Sequence, residues 1–510
     1  MRLFLASIVS ILLFIGIVPI LAMLIKAFMP DDTIPSLFGS MQTWMLMRHS
    51  VILASLVTVS TFLLGIPLGI FLGKTDLPFR RFFIFLFLIP LLVPPYIIAV
   101  AWSDLFQMSG LPLHWLSGLP GSLFILVSVY LPLPMLLTMI FLHTVHPHLE
   151  EAGRLVATWP LTLWRVTLPL IRPALLLAAL LVFLLALGEF SVPMYLRYNV
   201  YAVESFTQFS AFYNFEAATA AAIPLVLFAA LLTVAENRYL RNRIAIPRHF
   251  AQKNEFLRIT LGRNRWSVLT GMACLAAIFV AMPIGSLLLQ AGGIDSYLRA
   301  LHVAGDALLR SFFYAFVGAS VLTFFGFFTG YLFLKKPFYA ARTIDPLLLF
   351  LFTLPGTVIG IALITFWNTP STNIVYATTL IVLFGYLAKY TALTARISLA
   401  TLAMVPPSME EAAQMTGAGW FQRMIHIVIP LTRHGILGAW VVASLFILRD
   451  ISITILLYPP GHDTLPVRIF TLMANGSPQL IASLCIVMIA AVVVPAAVAW
   501  GWFHYWGTKR

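Results

Sequence analysis

Residues 49–74 read HSVILASLVTVSTFLLGIPLGIFLGK, and residues 310–335 read RSFFYAFVGASVLTFFGFFTGYLFLK. The two stretches align without a gap. Ser50, Gly65, Gly69 and Lys74 fall on Ser311, Gly326, Gly330 and Lys335, an offset of 261. Pro147 and Glu151 match Pro407 and Glu411 at 260. Pro169 and Glu189 match Pro430 and Asp450 at 261 again, while Pro90 and Trp102 are paired with Pro355 and Trp367 at 265. An offset this steady over most of the chain marks a tandem duplication. A repeat of this size decides the architecture before any single motif does.

Neither copy has the composition of a soluble domain. The 510 residues are 61% hydrophobic and only 10% charged, with a mean hydropathy of +0.97; soluble proteins carry roughly 25% charged residues. Apolar runs lie near 3–28, 50–73, 82–103, 121–144, 171–196 and 216–235, and again near 267–290, 311–334, 345–367, 374–399, 434–457 and 480–503. Each approaches the roughly 20 residues that cross about 30 Å of hydrocarbon as a helix. Barrel strands would be half as long. The expected fold is an all-α polytopic membrane protein of 12 transmembrane helices, built as two tandem six-helix halves. Residues 1–235 and 267–510 form the halves, and 236–266 form a basic linker. The run at the N-terminus exceeds a signal-peptide core of about 7–15 residues and lacks a small-x-small site, so it reads as a retained helix. Six helices return the chain to its starting side, which implies parallel repeats about an axis along the membrane normal. The glycines four apart (Gly65, Gly69, Gly73; Gly326, Gly330) read as close helix packing and carry no function.

The net charge of +13 is mostly a topology signal. With both termini cytoplasmic, inside segments hold 23 of the 31 Lys and Arg residues, eight of them in the linker. That bias is the positive-inside rule. The linker then touches anionic lipid, and no nucleic-acid partner is expected. Cys274 and Cys485 sit in apolar runs and form no zinc or disulfide framework. The stretch GIFLGKT (69–75) misses the GxxxxGK[ST] spacing of a phosphate loop by one residue. The stretch GKTDLPFRR (73–81) only partly follows the GxxxDRxGRR loop of major-facilitator transporters. No HExxH, GxSxG or carboxylate–histidine cluster suggests an embedded enzyme or a metal site.

One polar stretch interrupts the apolar chain, MEEAAQMTGAGWFQRMIHIVIPL (409–431). Pro406-Pro407 stops the preceding helix. Ser408 to Glu411 fits a capping box for a new short helix, with Glu410 and Glu411 in the first turn, where the macrodipole favours acids. Ala412 and Ala413 leave a thin surface, Gly417 and Gly419 bend the chain, and Pro430 restarts it. A partnerless amphipathic connector is the alternative, but a second copy at 150–170 argues against it.

The pattern Glu411-Ala412-Ala413, Gly417, Ile427 and Ile429-Pro430 resembles the EAA loop of the membrane subunits of ATP-binding-cassette (ABC) importers, EAA-xxx-G-x9-I-x-LP. The first copy keeps Glu150, Glu151, Ala152 and Leu168-Pro169. It has Gly153 for the second alanine and Ala157 at the glycine position, and is one residue shorter. Two such loops in one chain look like the fused permeases for ferric iron, with thiamine and phosphonate permeases as cousins. The resemblance implies a multi-pass bacterial inner-membrane transport subunit that is not itself an enzyme. It implies no cofactor on this chain, ATP on the partner, and two further partners: a dimer of cytosolic ATPase subunits gripping the loops, and a periplasmic substrate-binding protein. Glu410, Glu411, Glu150 and Glu151 would contact the ATPase, with Gly417 shaping the bend and the Ala157 copy coupling through a modified geometry. An ion-coupled secondary transporter with two six-helix repeats is the alternative from another class.

Ionisable residues inside helices usually face a cavity or a partner. Glu189 and Arg449-Asp450 each follow a loop proline by about twenty residues, and Lys389 lies inside the tenth helix. They read as a lining of the substrate path, with Glu189 and Asp450 facing one another and suiting a cation. The structural alternative is local pairing of Arg449 and helix capping by Glu189. The outer loop 456–470, with Tyr458 and His462, is expected to be rigid and to meet the binding protein.

Overall fold

The computed structural model describes residues 2–27, 41–212, 215–239, 257–335 and 343–507. The middle of the basic linker, 240–256, lies outside them. The described chain is helical, and ten helices are long and apolar enough to cross a membrane. The second span of each half is longer than expected, Met41–Lys74 and Ile294–Lys335.

The third run of each half is not one straight helix. Arg80–Leu92 and Pro95–Met108 meet at 99°, and Asp345–Thr353 and Gly356–Trp367 meet at 105°. Pro94 and Pro355 sit at the two breaks with nearly the same backbone, φ −53° and −52°. Proline removes an amide donor and drives its predecessor out of the helical region. The offset between them is 261, so Pro94, not Pro90, is the repeat partner of Pro355. Pro90 lies within the helix before the break, and the pairing at 265 is corrected.

Two ion pairs establish that each bent pair is a crossing. Lys74 closes the second span and pairs with Glu150. The Gly118–Leu142 span lies between them. One span starting at Gly118 can end beside Lys74 only if the bent pair has already carried the chain across. Lys335, Leu380–Leu402 and Glu410 repeat the relation. Among the described residues the chain therefore crosses twelve times, six per half, and both glutamate-bearing loops share one face. The Phe4 ring lies tilted against Trp420, centroids 5.7 Å apart, so the N-terminal helix begins on that face too.

The halves exchange their first helices. Arg2–Ala27 packs on Gly356–Trp367 and Leu380–Leu402 of the second half, with Phe14 edge-on to Phe366 and Trp367. Met282–Ala291 packs on Pro95–Met108 of the first half, where Ser286 donates to the Ala101 carbonyl at 2.7 Å. One continuous hydrophobic core runs through both halves. Within each half the glycine face lies against the fourth span. A Cβ at Gly69 would stand 2.7 Å from the Met135 carbonyl oxygen, and one at Gly330 2.7 Å from that of Ala395.

Candidate functional site: two coupling loops and a cavity between the halves

The second loop is built from Pro407–Met415 and Trp420–Arg423. Its first helix starts at Pro407 with Pro406 as N-cap and no side-chain cap. The capping box expected at Ser408 does not form, because the helix already begins at Pro407 and Ser408 lies inside its first turn, past the N-cap position. A cap appears at the start of the next helix instead, where the Gln422 side chain accepts from the Gly419 amide at 2.9 Å. The helix ends in a Schellman motif. Gly417 has φ +84°, its amide donates to Gln414, and the Ala418 amide donates to Ala413.

The first loop reaches a similar shape by other means. Pro147–Val156 runs directly into extended Ala157, and the next helix starts at Trp159. No left-handed residue is needed, and Arg154 donates to the Ala157 carbonyl at 2.8 Å. The tighter turn brings Thr162 onto the helix, 2.9 Å from where a Gly153 Cβ would be. That contact explains glycine where the second copy has Ala413. After each loop comes a single π turn, Leu163–Thr167 and Met424–Val428. It directly precedes Leu168-Pro169 and Ile429-Pro430, where proline cannot donate to the fourth carbonyl back.

Of each acidic pair, the first carboxylate turns inward and the second outward. Glu150 is buried, paired with Lys74 and accepting from Thr167 Oγ1 at 2.7 Å. Glu410 pairs with Lys335 at 2.6 Å and accepts from Tyr331 Oη at 2.7 Å, with Arg423 Nε at 4.0 Å. Burial opposes ionisation of Glu410, but the hydrogen bonds and charge of Lys335, the Tyr331 hydroxyl and the Arg423 charge outweigh it and hold the pKa below the usual value. Glu151 and Glu411 are exposed. Beside them Leu155, Val156 and Met415 are almost fully exposed. The inward carboxylates thus tie each loop helix to the end of its own second span, a role unlike the partner contact expected for all four acids.

Toward the opposite face, Glu189, Lys389, Arg449 and Asp450 line one cavity of about 70 Å³ between the halves. Both acids lie just past the C-terminal ends of long helices, Leu168–Leu187 and Ile429–Arg449. Pro95 and Pro355, at the breaks of the bent pairs, line it too. Tyr390 Oη donates to Asp450 at 2.6 Å, and Tyr130 Oη reaches Glu189 at 3.5 Å. Ser191 and Ser452 also donate to Glu189 and Asp450.

The model of the family described as binding-protein-dependent transport system inner membrane component matches residues 65–245 and again 322–505. The chain belongs to this family. Among its relatives is a permease protein named for a ferric transport system (FbpB 1) of Haemophilus influenzae, 24% identical over 91% of this chain and 79% of the relative. The ferric transport system permease protein FbpB of Actinobacillus pleuropneumoniae is 21% identical over 89% and 71%. A shorter permease protein named for 2-aminoethylphosphonate transport (PhnV) of Salmonella typhimurium is 27% identical over 39% of this chain and 76% of its own. This chain is thus a multi-pass inner-membrane transport component.

The four residues expected to line the path, Glu189, Lys389, Arg449 and Asp450, meet in one cavity of the permease. The carboxylates do serve local turns: Glu189 accepts from the Ser191 amide at 2.9 Å, and Asp450 from the Ile453 amide at 3.0 Å. Arg449 pairs with no carboxylate among the described residues; its guanidinium lies over the Phe446 ring. Lys74, Lys335, Tyr130 and Tyr390 were missed as site residues. The repeat match of Lys74 with Lys335 was the available signal. The outer loop is pinned as expected: Asp463 takes Arg310 at 2.8 Å and Arg468 at 2.5 Å.

Proposed function

We propose that this permease moves ferric iron across the inner membrane, driven by a separate pair of ATPase subunits that grip its two loops and supplied by a periplasmic binding protein. ATP sits on the ATPase, and this chain carries no cofactor. The observation that carries the reading is the doubled loop: two helices on one face, at a repeat offset of 260, each with an outward acid beside exposed apolar side chains. Such patches suit a protein cleft. The inward acid makes each loop a handle on the second span, so movement of the gripped helix is transmitted to the membrane helices. Nucleotide state acts only through its differing hold on the two permease conformations. The iron assignment is supported by relatives in ferric systems that align along most of the chain. The phosphonate relative aligns with less than half of it.

The test is co-purification and uptake. Glu151→Ala with Glu411→Ala abolishes ATPase association and transport while the permease stays folded. Association and transport left intact would sink the coupling role. Uptake of radioiron into cells expressing the complete system checks the cargo, and uptake of a phosphonate with no iron uptake would reverse it.

A further inference from the structure

The cavity between the halves is symmetric in its acids and asymmetric in its cations. Glu189 and Asp450 are repeat partners, as are Tyr130 and Tyr390, and Ser191 and Ser452. Lys389 and Arg449 have no such partners: the first half carries Val129 and Gly188 at their positions. A side chain at Gly188 would be tight, since a Cβ there would lie 3.0 Å from Pro355 Cγ. Both cations therefore come from the second half alone.

Hydrogen-bond capacity in the cavity is unevenly spent. Asp450 Oδ1 accepts from the Ile453 and Thr454 amides and Thr454 Oγ1, and Oδ2 from Tyr390 and Ser452. Five donors reach a group with about four lone-pair sites. Glu189 Oε1 accepts from the Ser191 amide and hydroxyl, while Tyr130 Oη lies 3.5 Å from Oε2 and 3.3 Å from the Leu185 carbonyl oxygen. The cations are the reverse. Lys389 Nζ reaches Ser452 Oγ at 3.4 Å and lies 5.8 Å from the centroid of the Tyr390 ring. Arg449 Nη1 is buried without a hydrogen-bond partner. Neither cation makes an ion pair among the described residues. What the cavity still offers is mainly the donors of its two cations.

We propose that the cavity binds an oxygen-rich anion in transit, gripped by Lys389 and Arg449; this rests on the cavity lying on the transport path proposed above. A guanidinium fork beside an ammonium matches carboxylate or phosphate oxygens. A volume of about 70 Å³ accommodates a few waters or roughly one such group. The anion is either free or a ligand of the transported metal ion, and both present the same oxygens.

The test uses the full-length permease in lipid nanodiscs, with equilibrium binding of radiolabelled inorganic phosphate and, separately, of ferric citrate. Saturable binding of phosphate identifies a free oxyanion, and binding of ferric citrate alone identifies the anion as a metal ligand. Either is weakened about tenfold or more by Arg449→Gln and by Lys389→Gln. Glu189→Gln strengthens it, a gain that misfolding cannot produce. Binding of neither probe, equal binding by wild type and both cation variants, or tighter ferric binding by the cation variants would overturn the proposal. ATPase association is scored on the same preparations. Association without anion binding refutes only the anion site, whereas loss of association in the wild type refutes the coupling function whatever the anions do.

Discussion

Lys335 ends the eighth span and holds the Glu410 carboxylate at 2.6 Å. The same relation joins Lys74 to Glu150 in the first half, at repeat offsets of 261 and 260. The supporting hydroxyl differs: Tyr331 serves Glu410, and Thr167 serves Glu150. The repeat positions of these hydroxyls hold Ile70 and Val428. Each half thus keeps the ion pair and supplies one hydroxyl from a different helix. Convergence on one tether by two routes indicates that the tether itself is what the fold requires.

Lys74→Met leaves Glu150 buried without its cation. Breaking a buried pair from one side costs about 3–5 kcal/mol, while replacing both partners costs far less. Thermal unfolding of purified permease is expected to show a large drop for Lys74→Met and a partial recovery in Lys74→Met with Glu150→Gln. A double variant as unstable as the single one would argue against pairing as the cause.

Lys335→Met has a smaller effect on stability, because Lys335 is a third exposed and solvent screens the pair. The Glu410 pair also makes stability depend on pH. A carboxylate with a folded pKa below its unfolded value, about 4.3, contributes stability above that value. The contribution is lost as pH falls through the folded pKa. Wild type should therefore lose part of its stability below about pH 4 relative to Glu410→Gln, read from unfolding midpoints across an acid series.

Gly417→Ala places a side chain at φ +84°, a conformation that costs roughly 1–2 kcal/mol for an L-residue. Amide exchange in 407–419 should accelerate in this variant. Ala157→Gly in the extended turn of the first loop should leave exchange in 147–159 nearly unchanged, so only the second loop is sensitive to a change at this repeat position.

Gly69→Leu and Gly330→Leu drive a side chain into backbone carbonyls 2.7 Å from the new Cβ. Overpacking of this kind costs about 1–3 kcal/mol or more. Gly271→Leu, on a span where a Cβ meets nothing, is the matched control, and unfolding midpoints of the three variants separate packing from bulk.

Much of the site was readable because its signals are local. Pro407, Glu411, Gly417 and Pro430 lie within one loop, and a duplicate multiplied the weight of each. The inward turn of Glu150 was not readable, since its cation lies 76 residues away and Glu150 and Glu151 look alike in sequence. The bend at Pro94 was hidden by a neighbouring proline, Pro90, that the helix tolerates near its end.

The sequence by itself determined the number of crossings, the duplication and the place of the loops. Each follows from run lengths, charge bias and a repeated motif along the chain. Tertiary structure alone decided which carboxylate faces inward, the exchange of first helices, and the meeting of Glu189, Lys389, Arg449 and Asp450 in one cavity. These depend on burial and on contacts between distant positions, where desolvation leaves a charged group stable only beside its partner.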